Sequence, residues 1–140
     1  MPIEGFLENF ESCAICHYRD NYFLSSLFDI NPKNTFAMYQ FNVDQGGQYY
    51  FGLSQDDKMK HPEGHTYGFL TIVIARVGTN GMEYVGGKAD PVRDLWFMAD
   101  CKPGQYLAFV STHFDFDYSN EFSIWAYGPK TLSIERVISA

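Results

Sequence analysis

Basic residues are scarce in this sequence. The 140 residues include 10 Lys and Arg against 17 Asp and Glu, which gives a formal net charge of -7 at pH 7. A protein that binds a nucleic-acid duplex neutralises phosphates with clustered Lys and Arg, whereas the basic residues of this chain are scattered along it. The composition therefore argues against a nucleic-acid partner.

Long apolar runs and paired cysteines are also missing. No stretch approaches the roughly 18 consecutive apolar residues of a membrane-spanning helix, and the first residues have neither the basic nor the apolar region of a secretory signal. The cysteines are Cys13, Cys16 and Cys101, an odd number, which favours free thiols in a reducing compartment. We expect a soluble protein in the cytoplasm.

Apolar and aromatic residues, by contrast, are abundant. They make up 46% and 18% of the chain, which is ample for the core of one domain of this length. Together with 12 Gly and 6 Pro, the many aromatic and β-branched residues favour short strands joined by turns over a helix bundle. We therefore predict an all-β fold, an antiparallel β-sandwich of eight or nine strands.

Alternating apolar residues and turn signals place the strands along the chain. The predicted strands cover residues 12–18, 35–43, 48–54, 67–77, 82–85, 93–99, 105–111, 121–127 and 131–138. The strands at 105–111 and 121–127 are expected to pair as a central hairpin, and residues 19–33 to be irregular. Residues 1–11 are interpreted as a flanking or linker segment, and residues 12–140 as the sandwich domain.

Two short patterns resemble catalytic or metal-binding motifs without completing them. Cys13 and Cys16 precede His17, but a strand would turn the two thiols to opposite faces, and a structural zinc ion needs four converging ligands. Residues 64–67 (GHTY) resemble the surroundings of a papain-like catalytic histidine, yet no cysteine stands in the sequence context of its nucleophile. The sequence therefore predicts a domain without catalytic activity.

A loop between two predicted strands carries Asp115, Asp117 and Glu121. Calcium is bound by six to eight oxygen ligands, and loops at one end of a sandwich can bring carboxylates together. These three residues are candidate calcium ligands. The alternative is a solvated acidic loop on an acidic protein.

A small basic loop holds Lys58, Lys60 and His61. Such a loop could contact anionic phospholipid or an acidic partner, although two lysines give only weak membrane binding at about 1 kcal/mol each. Nearby acidic residues lower the net positive charge of this loop. The alternative is therefore a solvated loop without a binding role.

Four stretches of the sequence resemble the C2-like β-sandwich domain (domain III) of calpain-type cysteine proteases, in that family's order. They are FLENFESCAICHYRDNY from Phe6, YYFGLSQDDKMKHPEGHTYGF from Tyr49, KPGQYLAFVST from Lys102 and EFSIWAYG from Glu121. The resemblance implies a non-catalytic regulatory or docking domain of a calpain-like protease. It would pack against a papain-like protease core in the same or a partner chain.

The chain also departs from this family. A long acidic run, which conventional members carry between the second and third predicted strands, is reduced here to residues 44–47 (DQGG). The calcium response that the resemblance implies for that run therefore does not carry over.

Phe6, Phe10 and Tyr22 are the candidate contacts to the protease core, because apolar residues on a short flanking segment have little to bury against within one sandwich. The alternative to a docking domain is a free-standing C2-like module that binds a lipid or another ligand.

Overall fold

The computed structural model describes residues 20–30, 36–55, 67–113 and 121–137, and within these ranges it contains nine β-strands. They are β1 (Phe23–Ile30), β2 (Phe36–Val43), β3 (Gly47–Gln55), β4 (Phe69–Gly78), β5 (Gly81–Asp90), β6 (Asp94–Cys101), β7 (Gly104–His113), β8 (Glu121–Gly128) and β9 (Glu135–Arg136).

The strands form two antiparallel sheets, one in the order β1-β8-β3-β6 and the other in the order β5-β4-β7-β2-β9. The pairs β1 with β8, β2 with β7, β3 with β6 and β4 with β5 are all hydrogen-bonded neighbours. This nested pairing is that of a jelly roll, in which one long antiparallel ribbon is folded over into two sheets. The predicted antiparallel β-sandwich is confirmed.

Alternate residues of β2, β3, β4, β6, β7 and β8 point between the sheets and form one core, and Leu27 of β1 and Val85 of β5 pack against it. Its largest fully buried side chains include three tyrosines, Tyr39, Tyr49 and Tyr106. Each hydroxyl reaches an acceptor near the edge of the core: Tyr39 donates to Asp29 Oδ2 (2.6 Å), Tyr49 to the Gln45 carbonyl (2.7 Å) and Tyr106 to the Lys102 carbonyl (2.6 Å). Buried tyrosines need such partners, and these bonds attach the strand ends to the core.

The predicted central hairpin is wrong. β7 belongs to the five-stranded sheet and β8 to the four-stranded sheet, so the two strands face each other across the core. The turn at residues 44–47 likewise carries the chain from one sheet to the other. Local sequence cannot distinguish these cases, because a turn between two alternating strands serves a hairpin and an inter-sheet crossing equally well.

Two other parts of the chain differ from the prediction, and one predicted strand is not covered by the structure. Residues 19–33 contain strand β1, which was missed because it is an edge strand with apolar side chains on both faces, such as Phe23 and Leu24. The final strand shrinks to β9, since residues 131–134 cross between the sheets. The predicted strand at 12–18 lies outside the described residues.

β5 is longer than predicted because two glycines are part of the strand, not of a loop. A Cβ at Gly86 would lie 2.8 Å from the ring of Phe97, and one at Gly87 would lie 2.8 Å from the Ile72 carbonyl. These two positions are glycine because neighbouring atoms lie too close for a side chain, and not because the chain turns there.

Candidate functional site: an aromatic sheet face

The outer face of the four-stranded sheet carries a cluster of aromatic side chains, which range from the buried Tyr50 to Trp96, 45% exposed. In register across β1, β8, β3 and β6, one row of outward residues is Leu24, Tyr127, Tyr50 and Met98, and the next is Ser26, Trp125, Gly52 and Trp96. We define the aromatic face as Tyr22, Tyr50, Trp96, Trp125 and Tyr127.

Four rings of this face contact one another in a row across the sheet. Ring centroids of Tyr22 and Tyr127 are 5.1 Å apart, those of Tyr127 and Tyr50 are 6.1 Å apart, and those of Tyr50 and Trp96 are 6.0 Å apart. These separations lie in the range of attractive aromatic pairs. A ladder of four rings thus crosses the whole width of the sheet.

Trp125 is fixed in place by two neighbours on β3. A Cβ at Gly52 would lie 2.3 Å from Cζ2 of its ring, so the indole occupies the space that only glycine leaves open. Its Nε1 donates a hydrogen bond to Ser54 Oγ at 3.0 Å. The indole is therefore held in one orientation before any partner arrives.

Apolar side chains around the ladder are open to solvent. Leu24 is 66% exposed, Phe28 61%, Met98 50% and Trp96 45%. Exposed apolar side chains grouped in this way are typical of an interaction surface. On the five-stranded sheet the exposed apolar residues lie mostly at strand ends and on the edge strand β5, as for Phe36, Met82 and Tyr84.

The charged side chains at outward positions of the four strands are all acidic. Outward positions of its four strands carry Asp94, Asp100 and Glu121 and no Lys or Arg. Asp94 is paired with Arg93 at 2.8 Å, and Lys88 from β5 places its Nζ 5.8 Å from the Trp96 ring centroid. The face is therefore an apolar centre with a mainly acidic rim.

The described thiol is not activated. Cys101 is buried, and burial raises the pKa of its thiol to about 11. The group is thus protonated at neutral pH, the opposite of a nucleophilic cysteine. Among the described residues, no three His, Cys, Asp or Glu side chains come together in a way that could hold a metal ion.

Only two of the predicted site residues fall within the described ranges. Tyr22 stands at one end of the aromatic ladder, and Glu121 is an exposed residue at the start of β8. The remaining candidates lie outside the described residues: Asp115, Asp117, Lys58, Lys60, His61, Phe6 and Phe10. No arrangement of the calcium or lipid candidates follows from the structure.

Sequence reasoning missed the two tryptophans as functional candidates. The signal was present, because Trp96 and Met98 alternate with the inward-facing Leu95 and Phe97 on β6. An aromatic and a thioether side chain at solvent-facing positions of an antiparallel strand depart from the usual polar outer face. The surroundings of Trp125 could not be predicted in this way, since its neighbours Gly52 and Ser54 depend on the pairing of β8 with β3.

The described residues include no helix of the length and apolarity needed to traverse a membrane.

Comparisons with known proteins support the fold. No protein-family model matches the chain, and no curated protein matches it in sequence. A solved structure from Sulfurospirillum deleyianum is similar over 75% of this chain and 98% of its own, with 8% identity and a TM-score of 0.52. The structure of the Cowpea mosaic virus empty virus-like particle is similar over 94% of this chain and 91% of its own, with 8% identity and a TM-score of 0.50.

A third similar structure is the pre-peptidase C-terminal domain of a Bacillus anthracis collagenase, with 12% identity over 77% of this chain and 87% of its own and a TM-score of 0.47. The two structures with TM-scores of 0.52 and 0.50 show a shared β-sandwich fold and, at 8% identity, nothing about activity. Fold and site together define this protein as a jelly-roll β-sandwich with a partly exposed aromatic face.

Proposed function

We propose that this protein is a non-catalytic docking domain that binds a folded protein partner through its aromatic face. The observation that carries the proposal is the ladder from Tyr22 to Trp96, which continues into exposed Leu24 and Met98. Tyr, Trp and Met are enriched in the buried centres of protein interfaces, and Trp and Tyr are frequent hot spots. Because Trp125 is already held by Ser54, less side-chain entropy is lost on binding.

The more specific form of the proposal names a papain-like protease core as the partner. It rests on the sequence resemblance to domain III of calpain-type proteases, and a cytoplasmic location belongs to the same hypothesis. Two observations support it: the fold is a β-sandwich, and Tyr22, a candidate contact residue, is part of the aromatic face.

A binding experiment with a separately purified papain-like core of the calpain type tests this proposal. Isothermal titration would compare the unaltered chain with Trp96→Ala and Met98→Ser. Truncation of a hot-spot tryptophan costs about 2 kcal/mol or more, so Kd should rise roughly thirtyfold for Trp96→Ala. Tyr84→Ala and Met82→Ser on the opposite sheet, both exposed, are the matched controls.

Two results would count against the docking role. One is an equal loss of affinity in the control variants, which would show that the loss is not specific to the aromatic face. The other is no heat of binding for the unaltered chain while circular dichroism shows it folded. If the protein sediments together with anionic vesicles and added salt abolishes this binding, the result would instead favour the alternative function, a lipid-binding module.

Calcium responsiveness is a separate part of the proposal, supported by the carboxylates of Asp115, Asp117 and Glu121 in the sequence. Titration with millimolar Ca²⁺ should release or absorb heat, and Asp115→Asn with Asp117→Asn should abolish it. An unaltered heat in this double variant, or none in the unaltered chain, would remove calcium from the proposal.

A further inference from the structure

A second surface feature lies on the other sheet, where the chain passes from β8 to β9. A groove of about 560 Å³ opens there between the outer face of β2 and β7 and the segment 131–135. Its volume falls within the range of small-molecule sites, about 300–1,000 Å³. Unlike the aromatic face, the groove is lined mainly by polar side chains.

Three amide side chains form the floor. Gln40 and Asn42 alternate with the buried Tyr39 and Phe41 on β2, so they point outward. Gln105 on β7 stands directly opposite Asn42 in the register. We call this site the amide groove and define its floor as Gln40, Asn42 and Gln105.

The wall of the groove is fixed near its middle and at one end, and at its other end an exposed ion pair reaches it, which contributes little. Near one end, Lys130 Nζ lies 3.9 Å from Asp44 Oδ2, and at the other, Glu135 pairs with Gln40 as part of β9. Between them the Leu132 N–H donates to Ser25 Oγ at 2.8 Å, and the Leu132 side chain is buried in the core. The wall is therefore fixed although residues 131–134 belong to no strand.

The polar groups of the floor are not used by the fold. No hydrogen bond joins the amide side chains of Gln40, Asn42 or Gln105 to another described residue. Each amide offers both a donor and an acceptor. The wall adds the hydroxyls of Thr131 and Ser133.

The charge of the groove restricts its ligand. Its lining contains the carboxylates of Asp44 and Glu135 and no Lys or Arg. Lys130 beside the groove is already paired with Asp44, so an anion would meet the carboxylate of Glu135 and no unpaired cation of the lining. A cationic amine would pair with the carboxylates but would give the amide N–H groups no acceptor. A polar group that loses its hydrogen bond to water without gaining one to the ligand weakens binding. A ligand with many hydroxyl groups donates and accepts at every position and satisfies both sets.

We propose that the amide groove binds a neutral polyhydroxylated ligand of the carbohydrate class. Saturation-transfer NMR would screen maltotriose, cellotriose, chitotriose and myo-inositol against the full chain, with glucose 6-phosphate and spermidine as the charged comparisons. At least one neutral compound should bind, and the side-chain NH₂ resonances of Asn42 and Gln105 should shift on titration.

Substitutions locate the site. Asn42→Leu and Gln105→Leu should each weaken binding about tenfold or more, a loss of roughly 1.4 kcal/mol. Gln48→Leu removes an amide from the outer face of the other sheet and should leave the affinity unchanged.

Three outcomes would overturn the proposal. The first is that no neutral compound binds up to about 20 mM, a concentration at which even millimolar affinities are detected. The second is that glucose 6-phosphate or spermidine binds more tightly than the neutral compounds. The third is that Trp96→Ala loses sugar binding and Gln105→Leu does not. The last would place the sugar on the aromatic face.

Discussion

Gln55 and Gly68 are joined by two hydrogen bonds: the Gly68 N–H donates to Gln55 Oε1 at 3.0 Å, and Gln55 Nε2 donates to the Gly68 carbonyl at 2.9 Å. The same Nε2 donates to the Val92 carbonyl at 2.8 Å. One buried amide therefore connects the end of β3, the start of β4 and the segment before β6. Gln55 therefore has a structural role in the fold.

Replacing Gln55 by leucine should destabilise the domain. The change leaves the Gly68 N–H and the Gly68 and Val92 carbonyls without their side-chain partner in a buried place. Buried unsatisfied groups cost about 1 to 3 kcal/mol each, and part of this cost is recovered by relaxation, so we expect a loss of about 3 kcal/mol in the free energy of unfolding. Urea unfolding followed by circular dichroism measures it.

The matched control is Gln105→Leu, which removes an exposed amide that the fold does not use. It should change the free energy of unfolding by less than about 0.5 kcal/mol. If both variants lose the same amount of unfolding free energy, the hydrogen bonds of Gln55 do not stabilise the fold more than an exposed amide does.

Gly52 should tolerate no side chain. A Cβ there would lie 2.3 Å from the Trp125 ring and 2.5 Å from the Leu95 carbonyl, and the carbonyl belongs to the neighbouring strand and cannot rotate away. Gly52→Ala should cost about 1 to 3 kcal/mol, the usual cost of overpacking. Trp125 should also lose its fixed orientation, so the tryptophan fluorescence of the folded variant should shift in wavelength. Ser123→Ala on the same face is the control, and an unshifted spectrum in Gly52→Ala would contradict the assigned packing.

Tyr39, Asp29 and Arg136 form a network that connects the edges of the two sheets. Tyr39 donates to Asp29 Oδ2, and Arg136 Nη1 lies 3.1 Å from the same oxygen. Tyr39→Phe leaves Asp29 paired with Arg136, so it should cost only about 1 kcal/mol. Asp29→Ala removes the acceptor of a buried hydroxyl and should cost roughly twice as much. Thermal and urea unfolding of both variants test the order, and a larger loss for Tyr39→Phe would contradict it.

The sequence predicted which residues of a strand face the core better than it predicted which strands pair with each other. Alternation along β2 and β6 identified inward and outward residues correctly, because burial imposes a period of two on each strand. Which strands pair depends on contacts between distant residues, so nothing near residues 105–127 could show that β7 and β8 occupy different sheets. For the same reason Trp96 could be recognised as outward, but its place in a ladder with Tyr50, Tyr127 and Tyr22 could not.

Alkaline pH should weaken the fold through Cys101. Burial raises the pKa of its thiol from 9.0 to about 11, so between these values the unfolded chain loses the thiol proton while the folded chain keeps it. A raised folded-state pKa gives stability that is complete below pH 9 and is lost as the pH rises from 9 to 11. The loss should reach about 2 kcal/mol, since one pKa unit corresponds to about 1.4 kcal/mol. Urea unfolding of the unaltered chain and of Cys101→Ala at pH 8, 9.5 and 10.5 measures the loss. Tyr39, whose raised pKa does not depend on Cys101, acts alike in both proteins and cancels in the comparison. Cys101 helps to raise the pKa values of Tyr49 and Tyr106, so these two tyrosines add to the loss in the unaltered chain. The difference in unfolding free energy between the two proteins should shrink as the pH rises, and a constant difference would show that the thiol does not titrate with a raised pKa.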